Sequence, residues 1–340
     1  MKYELPHSDD NLIRQMWLSN YINPAISVSL EIGLFEELSK KPLTLQLLAE
    51  HLQLHPDAIE AVTSTLSGIG LLTFDKQVFS LTPTSQYYLL KDSPYYWGNM
   101  FMFTKDTCPT HDSLLTAIQK KSPNVMETGI PLTTEWEENV LSLDRARTIA
   151  LAMNSLSQTI AVALSKKINL SENTKMLDVG GGSGCYALTF AREFPNTSFT
   201  IADLPNVCLI TEEFIEHHQM NEQINTYPMD MFSAVWPTGY DFVFVANILH
   251  DWDHVQCNAL LKKAKSALKP GGEIMIYEML IDEEQNGPLT AGLFSLAMLY
   301  ITKGKQFRAS ELEEMLTAAD FAEVQIENIY SGYSLIRAKA

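Results

Sequence analysis

Leu177-Asp-Val-Gly-Gly-Gly-Ser-Gly184 joins an apolar run to a stretch with helical spacing, and this glycine-rich turn decides the fold class. It does not match the dinucleotide fingerprint G-x-G-x-x-G, because the last position counted from Gly180 and Gly182 is Cys185. A dehydrogenase is therefore disfavoured. No Gly-Lys-Ser/Thr follows, so a phosphate-binding P-loop is excluded as well. The turn predicts a close approach of the backbone to a ligand that carries no pyrophosphate.

Strands and helices alternate on either side of this turn. The predicted strands are 175–179, 198–202, 223–227, 241–246 and 273–280. The helices between them are 183–194, 207–218 and 254–268. This alternation predicts an α/β fold, a doubly wound and mostly parallel sheet with helices on both faces. Two last strands, 322–329 and 333–337, are joined by two residues and predict an antiparallel pair at one edge.

The N-terminal third has a different pattern. Helical spacing covers 11–37, 44–51 and 57–67, with Asp57 as the expected N-cap and Glu60 completing a capping box. A hairpin is expected from 71–74 and 78–82, with its turn at 75–76. Helix, turn, helix and hairpin together are typical of a winged helix. We expect a winged-helix-like domain at 1–110, a helical linker at 111–170 with a long helix at 144–164, and the α/β domain at 171–340.

The charge of the winged-helix region argues against DNA binding. Its second helix, 57–67, contains no Lys or Arg, and residues 31–90 hold three bases against seven acids. A recognition helix needs basic or amide side chains to contact phosphates and base edges. The sequence therefore favours a packing or dimerisation role for this domain.

The composition of the whole chain points the same way. The 340 residues carry 41 acids against 24 bases, a net charge of -17, which disfavours nucleic acid and anionic membrane surfaces. We expect no membrane span, since no stretch approaches about 18 apolar residues, and no signal peptide at the polar N-terminus. The four cysteines include no C-x-x-C pair, as expected of reduced thiols in a cytoplasmic protein.

Acids follow three consecutive predicted strands near the glycine turn. Asp178 precedes the glycines, Asp203 ends the second strand, and Asp230 follows the third. At the carboxyl edge of a parallel sheet, Asp203 can accept hydrogen bonds from ribose hydroxyls. Asp230 can accept from an adenine amino group while Met231 covers the ring. The constellation suits a cationic nucleoside without phosphate, and S-adenosylmethionine is the expected ligand.

With the next strand the chain resembles a known family over essentially its whole length. The motifs are Asp-Val-Gly-Gly-Gly-x-Gly (178–184), Asp-Leu-Pro (203–205), Asp-Met-Phe (230–232), Leu-His-Asp-Trp (249–252) and Leu-Lys-Pro-Gly-Gly (268–272). They resemble the S-adenosylmethionine-dependent O-methyltransferases of the caffeate, hydroxyindole and bacterial antibiotic type. The resemblance implies a class I methyltransferase domain, a homodimer formed through the N-terminal domain, and S-adenosylhomocysteine as product. It also implies a small aromatic or enolic acceptor of the kind found in secondary metabolism.

The resemblance assigns catalytic roles. His250 of Leu-His-Asp-Trp is the implied general base, and Glu278 matches a carboxylate that orients it. Asp251 is expected to share in this orientation. Gln306 occupies the place of a second orienting acid in many plant members, and Ala246 stands where they often carry Lys. These departures leave open which residue acts as the second orienting carboxylate.

The remaining site residues are expected around the crevice. The cofactor-binding set is Asp178, Gly180, Gly181, Gly182, Asp203, Leu204, Asp230, Met231, Phe232 and Asn247. The apolar acceptor pocket is expected from Met100, Phe103, Met153, Trp252, Phe294 and Met298. We expect no metal, since the eight histidines show no ligand spacing beyond His217-His218 on a surface helix.

Other functions remain open at this point. Transfer to nitrogen or sulfur is possible on the same fold, as is a different reaction that uses the cofactor only for its charge. The absence of Asn/Asp-Pro-Pro-Tyr argues against methylation of amide or base nitrogen. A winged-helix DNA-binding regulator with a nucleoside sensor is the alternative from another class, and the acidic second helix opposes it.

Overall fold

The computed structural model describes residues 7–105, 109–120, 123, 132–138 and 141–340. The chain divides into two compact units, Met1–Cys108 and Pro109–Ala340. The predicted division into three parts stays a prediction. Cys108 and the predicted loop residues 122 and 129–131 lie outside the described residues.

The first unit is mostly helical. Its elements are α1 (Asn11–Leu18), α2 (Ile22–Glu31), α3 (Leu34–Lys40), α4 (Leu45–Leu52), α5 (Pro56–Gly68), β1 (Leu72–Asp75), β2 (Val78–Leu81), α6 (Pro83–Tyr88) and α7 (Gly98–Thr104). A 3₁₀ turn, Ser19–Tyr21, separates α1 from α2. The predicted helical spacing over 11–37 is confirmed, and it is divided among α1, α2 and α3, with Gly33 at a left-handed φ of 73° between α2 and α3.

The predicted order of helix, turn, helix and hairpin is confirmed, with local corrections. Asp57 is not the N-cap of α5: His55 caps the helix and accepts a hydrogen bond from the Asp57 N–H. Pro56 takes the first helical position, where its fixed φ suits the helix and its missing N–H costs nothing. The hairpin turn lies at Lys76 and Gln77, both with positive φ, one residue later than predicted.

The second unit contains a seven-stranded sheet. Its elements are α8 (His111–Lys120), α9 (Leu132–Glu137), α10 (Leu143–Ser165), β3 (Lys175–Val179), α11 (Cys185–Glu193), β4 (Ser198–Asp203), α12 (Pro205–His217), β5 (Ile224–Pro228), β6 (Tyr240–Ala246), α13 (His254–Ala267), β7 (Leu268–Met279), α14 (Leu289–Ile301), α15 (Ala309–Ala318), β8 (Ala322–Tyr330) and β9 (Tyr333–Lys339). The strand order is β5-β4-β3-β6-β7-β9-β8. The first five strands are parallel, and β9 runs antiparallel to both β7 and β8. The predicted α/β fold with an antiparallel edge is thus confirmed.

Side chains from alternate strand positions fill two cores, one on each face of the sheet. Val243 packs with Leu261 and Leu316 beneath α13 and α15, whereas its neighbour Phe244 packs with Phe190 and Leu164 on the opposite face. This alternation follows from the two-residue period of a strand. Burial on both faces explains the apolar run at 242–246 in the central strand β6, whereas the edge strand β5 (INTYP) is mostly exposed or half-buried.

One described helix, α10, is long and apolar enough to cross a membrane by length and composition, with a mean hydropathy of 1.3. The expectation from the sequence concerned a stretch of about 18 apolar residues, and in α10 the apolar residues are interrupted by Asn154, Ser155, Ser157 and Gln158. In this fold 44% of that apolar window is buried within the protein. Arg147 of α10 forms a two-pronged ion pair with Glu213 of α12, at 2.6 and 2.7 Å, so the helix is part of the second unit.

Candidate functional site

The glycine turn between β3 and α11 leaves no room for a side chain at Gly180 or Gly181, and most of its glycines take positive φ. Gly180, Gly182 and Gly184 all have positive φ, between 57° and 75°. A Cβ on Gly180 would lie 2.3 Å from Cδ1 of Ile248, and one on Gly181 would lie 2.8 Å from Oδ2 of Asp178. The turn therefore contacts both the end of its own strand and the segment that follows β6.

Two carboxylates, the buried Asp178 and the half-buried Asp203, lie at this turn. Asp203 accepts hydrogen bonds from the Gly182 N–H at 2.9 Å and the Leu204 N–H at 2.7 Å. Asp178 is 2% exposed, and its Oδ2 has no donor among the described residues. Burial and the nearby charge of Asp203 raise the pKa of Asp178 to about 7. Burial raises the pKa of Asp203 to about 6, although its two N–H donors oppose the change.

The predicted adenine side of the site is held in a rigid turn. Asp230 accepts hydrogen bonds from the Phe232 N–H at 2.9 Å and the Ser233 hydroxyl at 2.5 Å. The backbone carbonyl of Met231 accepts from the Trp236 indole at 2.8 Å. Both oxygens of Asp230 thus bind their own turn, and only their second lone pairs remain for a ligand.

Lys263 of α13 stabilises the same turn and was not expected from the sequence. Its ammonium donates to the Phe232 carbonyl and, at 2.8 Å, to the Ala234 carbonyl. A lysine on a helical face gives no sign of such a role, because the contact joins elements 29 residues apart.

Asn247 connects the cofactor side to the catalytic side. It takes a left-handed φ of 53° at the end of β6, where its N–H donates to the Tyr277 carbonyl at 3.2 Å. Its amide nitrogen donates to the Tyr186 hydroxyl at 3.4 Å, and its buried amide oxygen has no donor among the described residues. Asp178 and Asn247 thus each hold a buried acceptor oxygen that these residues leave unsatisfied. Such a set fits a cationic ligand with N–H and O–H donors and does not fit a pyrophosphate.

His250 lies in a 3₁₀ turn, Leu249–Asp251, directly after this segment. Its Nδ1 is 2.6 Å from Oε2 of Glu278 at the end of β7. The other oxygen of Glu278 accepts from the backbone N–H groups of Ile248 and Leu249, each at 3.1 Å. This carboxylate therefore holds both the ring and the turn that carries it, and it leaves Nε2 available.

The charges around His250 make it a strong base. Burial alone would lower its pKa, but the carboxylates of Glu278 and Asp251, together with the hydrogen bond to Glu278, raise it to about 9. Asp251 Oδ1 is 3.7 Å from Nε2. Burial raises the pKa of Asp251 to about 7, with His250 acting in the opposite direction and Glu278 adding to the rise.

The predicted acceptor residues divide into three groups. Phe294 of α14 is half-buried, and its ring meets the His250 ring edge-to-face at 5.4 Å. Met298 is buried on the same helix, and Met153 is half-buried on α10. Trp252 is 1% exposed between Phe232 and Trp136, so it is a packing residue. The remaining two, Met100 and Phe103, lie half-buried on α7 in the first unit, and their role in acceptor binding stays a prediction.

Gln306 is 1% exposed, and neither atom of its side-chain amide has a hydrogen-bond partner among the described residues. Its backbone N–H donates to the Ser295 hydroxyl of α14 at 3.2 Å. Gln306 is thus placed beside the helix that carries Phe294. Within the described part of the chain, no cluster of three His, Cys, Asp or Glu is arranged to hold a metal ion.

Comparisons with known proteins show which sequences and which fold this chain resembles. Residues 112–322 match the family model of the O-methyltransferase domain. The 3-hydroxy-5-methyl-1-naphthoate 3-O-methyltransferase of Streptomyces sahachiroi is 29% identical over 325 residues, covering 93% of this chain and 89% of that protein. The acetylserotonin O-methyltransferase of Gallus gallus is 28% identical and covers 93% of each chain. The structure of human N-acetylserotonin methyltransferase in complex with SAM has a TM-score of 0.86 at 24% identity, covering 98% of this chain and 99% of that one.

Proposed function

We propose, on the premise that the chain belongs to the O-methyltransferase domain family and depends on S-adenosylmethionine, that it methylates a hydroxyl of a small aromatic or enolic molecule with His250 as general base. The observation that carries this proposal is the buried pair of His250 and Glu278, 2.6 Å apart beside the glycine turn. The two curated relatives are named for a hydroxynaphthoate and for acetylserotonin, which are both aromatic.

The cofactor would be held by the acceptor-rich end of β3, β4 and β6. Asp203 would bind the ribose hydroxyls with the lone pairs that its two N–H donors leave open. Asp178 and Asn247 would receive donors on their unpartnered oxygens, and the turn at Asp230, Met231 and Phe232 would line the base. When bound, S-adenosylmethionine supplies an electrophilic methyl group on a positively charged sulfur.

His250 would remove the proton of the acceptor hydroxyl through Nε2. Glu278 accepts from Nδ1–H, so it fixes the tautomer in which Nε2 is the free base. A phenol such as that of Tyr has a pKa of about 10, close to the value of about 9 for His250. Proton transfer between the two groups is therefore nearly balanced, which suits general base catalysis.

Asp251 would replace the second orienting acid. Gln306 is neutral and cannot balance an imidazolium, whereas the Asp251 carboxylate lies 3.7 Å from Nε2 and raises the pKa of the ring. The two negative charges of Glu278 and Asp251 would then stabilise the protonated ring after it has taken the acceptor's proton.

The N-terminal unit would form a homodimer in the cytoplasm. Its α1 exposes Leu12, Ile13, Met16 and Trp17, with exposed fractions of 57% to 71%. A contiguous apolar face of this kind is typical of a protein interface. Light scattering after size-exclusion chromatography tests this: a mass of twice 38.2 kDa supports the proposal, and a monomer contradicts it.

Incubation with methyl-labelled cofactor and a panel of phenols, followed by mass spectrometry, tests the function. The wild-type protein should transfer label to oxygen. His250→Ala should keep cofactor affinity and lose most turnover, by about 10²-fold or more, while the exposed His217→Ala should match the wild type. Label on nitrogen or sulfur, or a near wild-type rate for His250→Ala, would overturn the proposal.

A further inference from the structure

The segment 302–306 between α14 and α15 is pressed against the turn that carries His250. A Cβ on Gly304 would lie 2.1 Å from the backbone oxygen of His250 and 2.7 Å from the backbone nitrogen of Trp252. Both atoms belong to the main chain, so no rotation of a side chain can make room. By contrast, a Cβ on Gly292 of α14 meets nothing within 4 Å.

Hydrogen bonds hold this segment in place on both sides. The Lys303 N–H donates to the Asp251 carbonyl at 3.1 Å, which joins the segment to the catalytic turn. Two residues beyond Gly304, the Gln306 N–H donates to the Ser295 hydroxyl at 3.2 Å, which joins it to α14. The segment therefore fixes the position of the turn relative to α14, whose Phe294 contacts the His250 ring.

An ion pair closes the outer end of the segment. The Lys303 ammonium lies 2.7 Å from both carboxylate oxygens of Glu137 on α9. Gln256 of α13 donates to the same carboxylate at 2.9 Å. The lysine side chain is 34% exposed and that of Glu137 29%, so this contact is partly shielded from solvent.

We propose that Gly304 is a positioning residue for the catalytic base, because only a residue without a side chain lets segment 302–306 clamp the backbone of the His250 turn. A 3₁₀ turn of three residues has few bonds of its own. Its place is therefore set by what packs against it, Glu278 on one side and this segment on another. The inference rests on the proposed function, in which His250 is the base.

Gly304→Ala tests the proposal, with Gly292→Ala as the matched control. The Gly304 variant should push the turn away, and kcat should fall by about 10²-fold, since a displacement near 1 Å at a reacting group has that effect. Cofactor affinity measured by calorimetry should not change. The acid limb of the pH profile should move below its wild-type position near 9, because displacement of the turn lengthens the contact between His250 and Glu278. Gly292→Ala should match the wild type in every measurement.

A lowered Tm with wild-type kcat and an unmoved pH profile would mean that Gly304 is only structural, and the proposal would be wrong. If Gly304→Ala does not fold, the proposal is tested with Lys303→Met instead, and Lys305→Met serves as the control. The Lys303 variant removes the ion pair to Glu137 and should lower kcat several-fold more than the Lys305 variant. Equal rates for the two would overturn the proposal.

His250→Ala measured beside these variants separates this proposal from the proposed function. If His250→Ala is inactive and Gly304→Ala is fully active, only the positioning role of Gly304 is contradicted. If His250→Ala is active, the proposed role of His250 as general base is contradicted, whatever the activity of Gly304→Ala.

Discussion

Replacing Glu278 by Gln removes the group that determines both the charge and the orientation of His250. One carboxylate oxygen accepts from Nδ1 at 2.6 Å, and the other accepts from the N–H groups of Ile248 and Leu249. A glutamine has a single acceptor oxygen. If this oxygen accepts from the ring, the NH₂ group meets the two backbone N–H donors without an acceptor. If the oxygen accepts from the backbone, the NH₂ group donates to Nδ1 and leaves the ring proton on Nε2, the tautomer that cannot act as the base.

The size of the effect follows from the pKa of the ring. The rise of the His250 pKa from 6.5 to about 9 opposes the effect of burial, and it corresponds to about 3 kcal/mol in favour of the protonated ring. Without the Glu278 charge, burial dominates, and the pKa should fall toward or below 6.5. The rate at high pH should fall about 10²- to 10⁴-fold, because the ring also loses its fixed tautomer.

The assay is kcat/KM for methylation of a phenol, measured from about pH 6 to about pH 10 at saturating cofactor. The wild-type kcat/KM should rise with pH, with its midpoint near pH 9, the pKa of His250. Glu278→Gln should move this midpoint to lower pH and lower the plateau, whereas the exposed Glu284→Gln, which removes the same charge, should change neither. A variant midpoint that remains near 9 would refute the electrostatic reasoning, and an unchanged plateau would refute the positioning role.

Two further predictions concern the carboxylates at the glycine turn. Asp203→Ala should weaken cofactor binding by roughly 1.5 to 3 kcal/mol for each lost hydrogen bond, and an unchanged Kd by calorimetry would remove Asp203 from the site. In the cofactor-free protein, the pKa values of Asp178 and Asp203, about 7 and 6, exceed the ordinary 3.8. The folded state then binds more protons than the unfolded state, so the free energy of unfolding should fall as pH rises from about 4 to about 7. Urea titrations of Asp178→Asn should show a weaker fall, and equal slopes for variant and wild type would contradict this cause.

The parallel sheet was predictable because its signals are local. The strands β3, β4 and β6 can be recognised from their own largely apolar residues, whereas the edge strand β5 (INTYP) is marked mainly by its place in the alternation. The structure places all four within one or two residues of the prediction. By contrast, α14 and α15 were not predicted as helices. The sequence of α14, LTAGLFSLAMLYI, is apolar around almost its whole circumference, so it shows no helical period.

The candidate site was predictable only where a motif or a strand end marked it. The role of Glu278 was predicted from its match to the family motif. In the structure, Ala246 of β6 pairs with Tyr277 of β7, and this pairing brings Glu278 next to the segment that carries His250. No motif marks Gly304 as a site residue, although Gln306, two residues later, stands at the place of an acid in the family pattern. A glycine is needed there because Gly304 lies against the backbone of His250, which is 54 positions earlier in the chain. No local sequence pattern indicates that contact.

The electrostatics of the site connect its two halves. Asp178 and Asp203 on one side and Asp251 on the other are all held in the fold with raised pKa values, which means that ionising them in the free protein is costly. A cation bound beside them lowers that cost, because it stabilises the ionised carboxylates. Binding of a positive ligand and release of protons are therefore linked, and affinity for such a ligand must increase as pH rises through this range. His250, whose pKa is raised by the same kind of charge, becomes a free base over the range just above it. Asp178 and Asp203 thus favour a cationic ligand, while Glu278 and Asp251 make His250 a base at alkaline pH.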